Sequence, residues 1–281
     1  MRLLYCLLFI IFIHLSYAQE VKSELLTTLS SELVESSGLI YFDNHYWSIN
    51  DSGGRPWLYR INSRGEVTQR IKVVNAENRD WEALTQDKKH IYISDTGNNE
   101  GNRSEYTIYR IAKDDIPRTN KNTYVLAKII RFEYSDQAED LVAYSHNFDC
   151  EALFSFNGEL ALLTKNWETR NANLYLINQD QNKAIKQNTF ESKGLVTGAD
   201  YNSEKDELVW IGYQFQGTSL RPFIGRISNF SQTENRREER FELPKLLNHQ
   251  TEGICMDSTG IVISCEETSE APQALFRVYL P

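Results

Sequence analysis

The segment Glu82-Ala83-Leu84, followed by a second apolar run opening at Ile91, decides the fold because it recurs. Its copies are Ser37-Gly38-Leu39, Glu151-Ala152-Leu153, Ala199-Asp200-Tyr201 and Glu252-Gly253-Ile254, with second runs near Tyr46, Leu160, Leu208 and Ile261. A unit of this kind returning along a chain marks a repeat architecture.

Working outward, each copy carries further apolar runs broken by turn residues. In the first copy, Leu39 to Tyr41 and Tyr46 to Asn50 flank the turn Phe42-Asp43-Asn44-His45. Trp57 to Ile61 and Glu66 to Val74 follow, separated by Asn62-Ser63-Arg64-Gly65. Such runs read as strands joined by tight turns. The third strands Leu58-Tyr59-Arg60-Ile61, Ile108-Tyr109-Arg110-Ile111 and Leu174-Tyr175-Leu176-Ile177 are near copies. Four strands in an antiparallel meander make one propeller blade. The fifth copy has only three, Glu252 to Met256, Ile261 to Cys265 and Ala274 to Leu280, and Val21 to Leu29 is free to supply the fourth.

The expected fold is therefore all-β, a five-bladed β-propeller over residues 19–281 closed by an N-terminal strand. Copies open at Gly38, Ala83, Ala152, Asp200 and Gly253, spaced by 45, 69, 48 and 53 residues. The long interval holds an insertion, at Lys113 to Thr123 or Ser135 to Asp149. Six blades is the alternative, if that interval hides a degenerate unit.

Residues 1–18 read as a signal peptide: Arg2, an apolar run from Leu3 to Ile13, then Ser16-Tyr17-Ala18 before Gln19. That run is shorter than the roughly 20 residues of a membrane span, and none later approaches that length. The expectation is an exported, periplasmic or extracellular protein without a membrane span, and a monomer. The formal net charge of −9 argues against nucleic acid as a partner, because phosphate binding needs clustered Lys and Arg. Beyond the leader, Cys150, Cys255 and Cys265 remain; an odd count is no complete disulfide framework, and their pairing is open.

First strands line the channel of a propeller, so Glu82, Glu151 and Glu252 should form a ring, with Ser37 and Ala199 at the other two positions and Asp200 one residue along. Converging carboxylates repel unless neutralised, and hard oxygen ligands suit calcium or magnesium. Glu82, Glu151, Asp200 and Glu252 are thus candidate calcium ligands; alternatively they accept backbone hydrogen bonds and hold the ring together. Past the second strands lie Asn50-Asp51, Asp95 with Asn98 and Asn99, Lys165-Asn166, Tyr213-Gln214 and Glu266-Glu267. Before the first strands lie Arg79-Asp80, His146 with Asp149, and His249.

All of these fall toward one end of the channel. Such a face has the ingredients of a metal-assisted hydrolase, with Asp51, Asp95, His146 or His249 as base. Arg79, Lys165, Asn166 and Trp167 are candidate ligand contacts, Trp167 by stacking. Both histidines also fit ordinary loop residues, since no metal-binding spacing ties them together. Asp51-Ser52-Gly53 and Asp95-Thr96-Gly97 resemble the paired tripeptides of aspartic proteases. Their separation of 44 is the repeat period, so one turn used twice explains them, with Asp capping and Gly taking a positive dihedral. Nucleophile elbows and Gly-rich phosphate loops are absent from the sequence.

Glu35-Ser36-Ser37-Gly38-Leu39, Asn50-Asp51-Ser52-Gly53, Asp80-Trp81-Glu82-Ala83-Leu84 and Asp95-Thr96-Gly97-Asn98-Asn99 together resemble a group of exported bacterial propellers common in Bacteroidetes. That resemblance implies fold and export and brings no reaction. More distantly, the arrangement is similar to five-bladed calcium-activated nucleotidases, whose tunnel carboxylates hold calcium, and to lactonase and esterase-like propellers. Two function classes follow. One is a noncatalytic propeller binding a small molecule, glycan or protein at its channel mouth; the other is a calcium-dependent hydrolase of phosphoesters or lactones.

Overall fold

The computed structural model describes residues 21–281, so the leader expected at residues 1–18 lies outside them. Among the described residues there is no α-helix, only strands and three single-turn 3₁₀ segments, and no helix long and apolar enough to cross a membrane. The chain opens with β1 (Lys22–Thr28). There follow β2 (Ser36–Phe42), β3 (His45–Asn50), β4 (Trp57–Ile61) and β5 (Val67–Val73), then β6 (Trp81–Gln86), β7 (His90–Asp95), β8 (Tyr106–Ala112), a short β9 (Thr123–Val125) and β10 (Lys128–Tyr134). Next come β11 (Cys150–Phe156), β12 (Glu159–Thr164), β13 (Ala172–Asn178) and β14 (Lys183–Phe190), followed by β15 (Leu195–Asn202), β16 (Glu207–Gln216), β17 (Ser219–Ser228) and β18 (Arg237–Glu242). The last are β19 (Gln250–Asp257), β20 (Gly260–Glu266) and β21 (Ala274–Tyr279).

Each repeat copy builds one antiparallel meander. Two-residue turns at Asp43-Asn44 and Asn157-Gly158 have positive φ at both positions, which matches the twist of the strands they join. β15 to β18 form a sheet of four strands, and β1 pairs with β21 to complete the sheet of β19 to β21. The two meanders β6-β7-β8-β10 and β11 to β14 are joined into one sheet of eight through a parallel contact confined to Glu133 with Lys183 and Tyr134 with Ala184. The inserted β9 adds in parallel to β5, giving that sheet a fifth strand.

First strands neighbour one another in a cycle, β2 to β6 to β11 to β15 to β19 and back to β2. Sheets radiating from such a cycle make a β-propeller. The apolar core is correspondingly divided into five wedges, each between two consecutive meanders. Trp47 and Trp81 are fully buried in one wedge, and Trp210 stacks on Phe190 in another, 5.9 Å between centroids. Removing a Trp from such surroundings costs about 3–5 kcal/mol.

Every first strand carries a register shift at the same place: after Ser36, Trp81, Cys150, Val196 and Thr251. A β-bulge of this kind re-aims one side chain. Here the re-aimed residues are Ser37, Glu82, Glu151, Thr197 and Glu252. In the fourth copy the equivalent segment is therefore Thr197-Gly198-Ala199, two residues ahead of the expected Ala199-Asp200-Tyr201. Small residues follow each bulge because the strands almost touch: a Cβ on Gly38 would lie 2.2 Å from Leu84 N, and one on Gly198 would lie 2.4 Å from the Glu252 carbonyl. The axial cavity bounded by these strands is too narrow to seat a water molecule.

Candidate functional site

The bulges turn Glu82, Glu151 and Glu252 toward one end of the axis, where loops bring Asp51, Asp80 and Asp149 and the end of β20 brings Glu266, four more carboxylates. All seven act on one another, or on the single ammonium of Lys165, through their charge. Single oxygens of Asp51, Asp80 and Glu82 lie within 4.8 Å of one another, and so do single oxygens of Glu82, Asp149 and Glu151. Two like charges about 4 Å apart cost roughly 4 kcal/mol at the effective dielectric near a protein surface. The cluster therefore needs protons or cations.

Lys165 supplies one positive charge, its Nζ 2.5 Å from Glu151 Oε1. Burial opposes that charge, but Glu151, Tyr213, Glu252 and Asp149 outweigh it and hold the ammonium protonated. Burial pushes Glu151 up while the ammonium pulls it down; the pair is best described by a charged Lys165, because the carboxylates around it far outnumber it. Burial first, and then Asp80 and Glu252, raise Asp51 to about 7. Burial and Asp149 raise Asp80 to about 6, and burial raises Glu252 to about 7 against the pull of Lys165.

Asp149 is held firmly. Its Oδ1 accepts the Asn98 N–H at 2.7 Å, and its Oδ2 accepts Trp167 Nε1–H at 2.8 Å. Two oxygens are left unserved: Glu82 Oε1 and Glu151 Oε2 are buried, and no donor among the described residues reaches them. A buried, unpartnered carboxylate oxygen is costly, and a hard cation is the partner its chemistry fits.

Gly97 explains how two of these groups come together. A Cβ there would lie 2.2 Å from Glu82 Oε1 and 2.3 Å from Asp80 Oδ2. The two similar tripeptides thus use Gly for different reasons. Gly53 has φ +69°, as a turn requires, whereas Gly97 is not in the left-handed region and serves by leaving space. Asp51 caps the Ser52 N–H, and Asp95 pairs with the buried Arg103 at 2.9 Å.

Other expected site residues lie elsewhere. Asp200 accepts the Met256 and Tyr201 N–H groups at 2.7 and 2.9 Å, and no charged neighbour contributes to its shift, which burial sets at about 7. It links two adjacent first strands. His249 packs on Phe276, 4.8 Å between centroids, in the wedge between the last two meanders, and burial lowers its pKa. His146 is buried, its Nδ1 accepting the Phe148 N–H at 3.1 Å. Asn166 is spent inside its own turn, on Thr164 at 2.5 Å and Thr169 at 3.2 Å. Arg79 is exposed at the rim, 3.5 Å from Asn102.

Trp167 does border the acidic mouth. Lys165 Nζ sits 5.0 Å from its ring centroid, and Tyr144, half exposed and in left-handed backbone (φ 53°), sets its own ring 5.2 Å away. Cys150, Cys255 and Cys265 are free, buried thiols.

Asp80 and Asp149 were within reach of the sequence. Each stands two residues before a bulge glutamate, in Asp80-Trp81-Glu82 and Asp149-Cys150-Glu151, and Glu35, Leu195 and Gln250 take the same place in the other copies. Each Asp ends the loop just before its first strand, so it reaches the same end of the channel as the bulge glutamate.

No protein-family model matches the chain, and no curated protein does. Among solved structures, the endo-arabinase from Bacteroides thetaiotaomicron VPI-5482 is similar over 92% of this chain and 98% of its own, with 10% identity and a TM-score of 0.52. An exo-β-1,3-galactanase from Phanerochaete chrysosporium, solved with galactose, is similar over 86% of this chain and 59% of its own, with 7% identity and a TM-score of 0.53. An exo-β-1,3-galactanase from Clostridium thermocellum is similar over 86% and 57%, with 9% identity and a TM-score of 0.53. This chain spans little more than half the length of the two galactanases. At such identities the likeness is one of fold, an all-β chain of the β-propeller kind.

Proposed function

We propose that this chain is an exported, monomeric propeller whose channel mouth holds a hard divalent cation, calcium foremost, and takes a small molecule, glycan or protein over it. The observation that carries this reading is the pair of buried, unpartnered oxygens, Glu82 Oε1 and Glu151 Oε2, beside a fixed Asp149. The ligand set becomes Glu82, Asp149 and Glu151 with Asp51 and Asp80 adjoining, in place of Asp200 and Glu252. Trp167 and Tyr144 supply an aromatic wall at the rim, of the sort that sugars and other flat ligands pack against. Five blades is the count that fits five meanders and five wedges, with the two-residue parallel contact taken as a clasp between blades. The leader favours a periplasmic or extracellular location, in keeping with the resemblance to exported bacterial propellers.

The test is elemental analysis of the purified protein, with melting followed in calcium and in chelator. Bound calcium and a midpoint lowered by chelator are expected, both lost in Glu82→Gln. A metal-free protein whose melting ignores chelator would overturn the cation.

A second reading, a calcium-dependent hydrolase, is favoured by Glu252, which acts on the cation-binding carboxylates without being among them and whose carboxyl, raised to about 7 by burial, falls in the range of general acids and bases. The glycoside-cleaving activities named for the structural neighbours fit a hydrolase in general kind. Assays on nucleoside diphosphates, lactones and aryl glycosides decide it: a rate that Glu252→Gln abolishes supports catalysis, and background rates throughout leave a binding protein.

A further inference from the structure

We infer that the mouth is a two-cation centre in which Glu82 is shared between one site made with Asp51 and Asp80 and another made with Asp149 and Glu151. The inference rests on the cation reading above and goes beyond it in number and arrangement.

Two sets of three carboxylates meet the distance requirement separately, and Glu82 is the one residue common to both. Each set also contains its own unserved oxygen. Glu82 is 3% exposed and Glu151 2% exposed, so neither oxygen can turn to solvent for a partner. Glu82 Oε1 lies on the Asp80 side, since the space left by Gly97 is bounded by Glu82 Oε1 and Asp80 Oδ2 together. Glu151 belongs to the second set alone, and with Oε1 taken by Lys165 its Oε2 is the oxygen left to offer there.

No set joins Asp51 or Asp80 to Glu151, so a cation seated between Asp80 and Glu82 Oε1 leaves Glu151 Oε2 to a second one. Charge points the same way: Lys165, Arg103 and one divalent ion bring four positive charges to eight carboxylates, Asp95 included, and a second ion brings six. The outer contacts are arranged for ligation too. Trp167 and Asn98 orient Asp149, as partners behind a ligand do.

Calcium chloride titrated calorimetrically into chelator-stripped, full-length protein tests this, up to roughly 10 mM, above the about 1 mM of the weakest calcium modules. Two ions per chain are expected. Asp80→Asn should leave one, Asp149→Asn should leave one, and Glu82→Gln should leave none. Each variant is melted in chelator beside the wild type, so that a misfolded chain is recognised; a variant that fails is replaced by Asp51→Asn for the first site or Glu151→Gln for the second. A wild-type count of one overturns the second cation and leaves the first. A count of zero overturns both. Two ions lost together in Asp80→Asn would overturn the division into separate sites.

Discussion

At the scale of single residues, Gly97 separates site from scaffold. The atoms that a Cβ would meet there are the far ends of Glu82 and Asp80, which can swing aside, and not backbone. Gly97→Ala is therefore expected to leave melting in chelator within about 1 kcal/mol of wild type, while weakening calcium binding at least tenfold, about 1.4 kcal/mol. Calorimetry and melting on the same samples check it; unchanged affinity would remove Gly97 from the site. The residues of this site were partly legible. Glu82, Glu151 and Glu252 follow from the repeat, and Asp51 from the turn after the second strand. Asp200 was misplaced because Ala199-Asp200-Tyr201 mimics the repeated segment, and the bulge that decides the matter leaves no mark on the alternation of apolar residues. Asp95 and His249 look like their neighbours in sequence, yet Arg103 claims one and Phe276 the other.

At the scale of elements, the first strands are constrained by backbone. A Cβ on Gly38 would lie 2.2 Å from Leu84 N and 2.6 Å from Ala83 C, neither of which can rotate away. Gly38→Ala should then cost roughly 1–3 kcal/mol or more, the cost of overpacking, equally in calcium and in chelator. Denaturant unfolding under both conditions measures this, and a loss seen only with calcium would contradict it. Hydroxyls complete these elements: Ser94 accepts the Ala83 N–H at 2.9 Å and Ser264 the Gly253 N–H at 3.0 Å, serving donors that the bulges free from the ladder. Strand positions were legible because alternation and turn residues repeat. The pairing of β9 with β5 was not, since an inserted segment has no second copy to be compared with. Both regions suspected of holding the insertion contribute to it: one leads into β9, ending at its first residue Thr123, and the other runs past Tyr144 and His146 to the acidic mouth.

For the whole molecule, the buried carboxylates set the response to pH. Asp51 and Glu252 are raised to about 7 and Asp80 to about 6, chiefly by burial. A carboxyl raised in the folded state takes its proton there first. Stability is thus gained as pH falls through about 7 toward about 4, where the unfolded chain titrates, and is lost on the way back. Stripped protein should melt higher near pH 5 than near pH 8, and calcium should raise the midpoint more near pH 8, where it stands in for the missing protons. Melts at the four combinations check both signs; equal midpoints would mean that the carboxylates are neutralised in some other way. The five wedges of core also show why the fold was readable at this scale. Each wedge repeats the same apolar spacing, so a period in the sequence becomes a period in space.

The pairing of Lys22 with Tyr279 has a consequence in time. β1 is made long before β21, so the sheet they share cannot form until β21 has been synthesised. Loop closure over nearly the full length of the chain makes this contact a late and slow one. Until then β21 presents an open edge, the kind of surface that pairs with another chain. The hour of danger for this protein is the interval between the making of β21 and its meeting with β1.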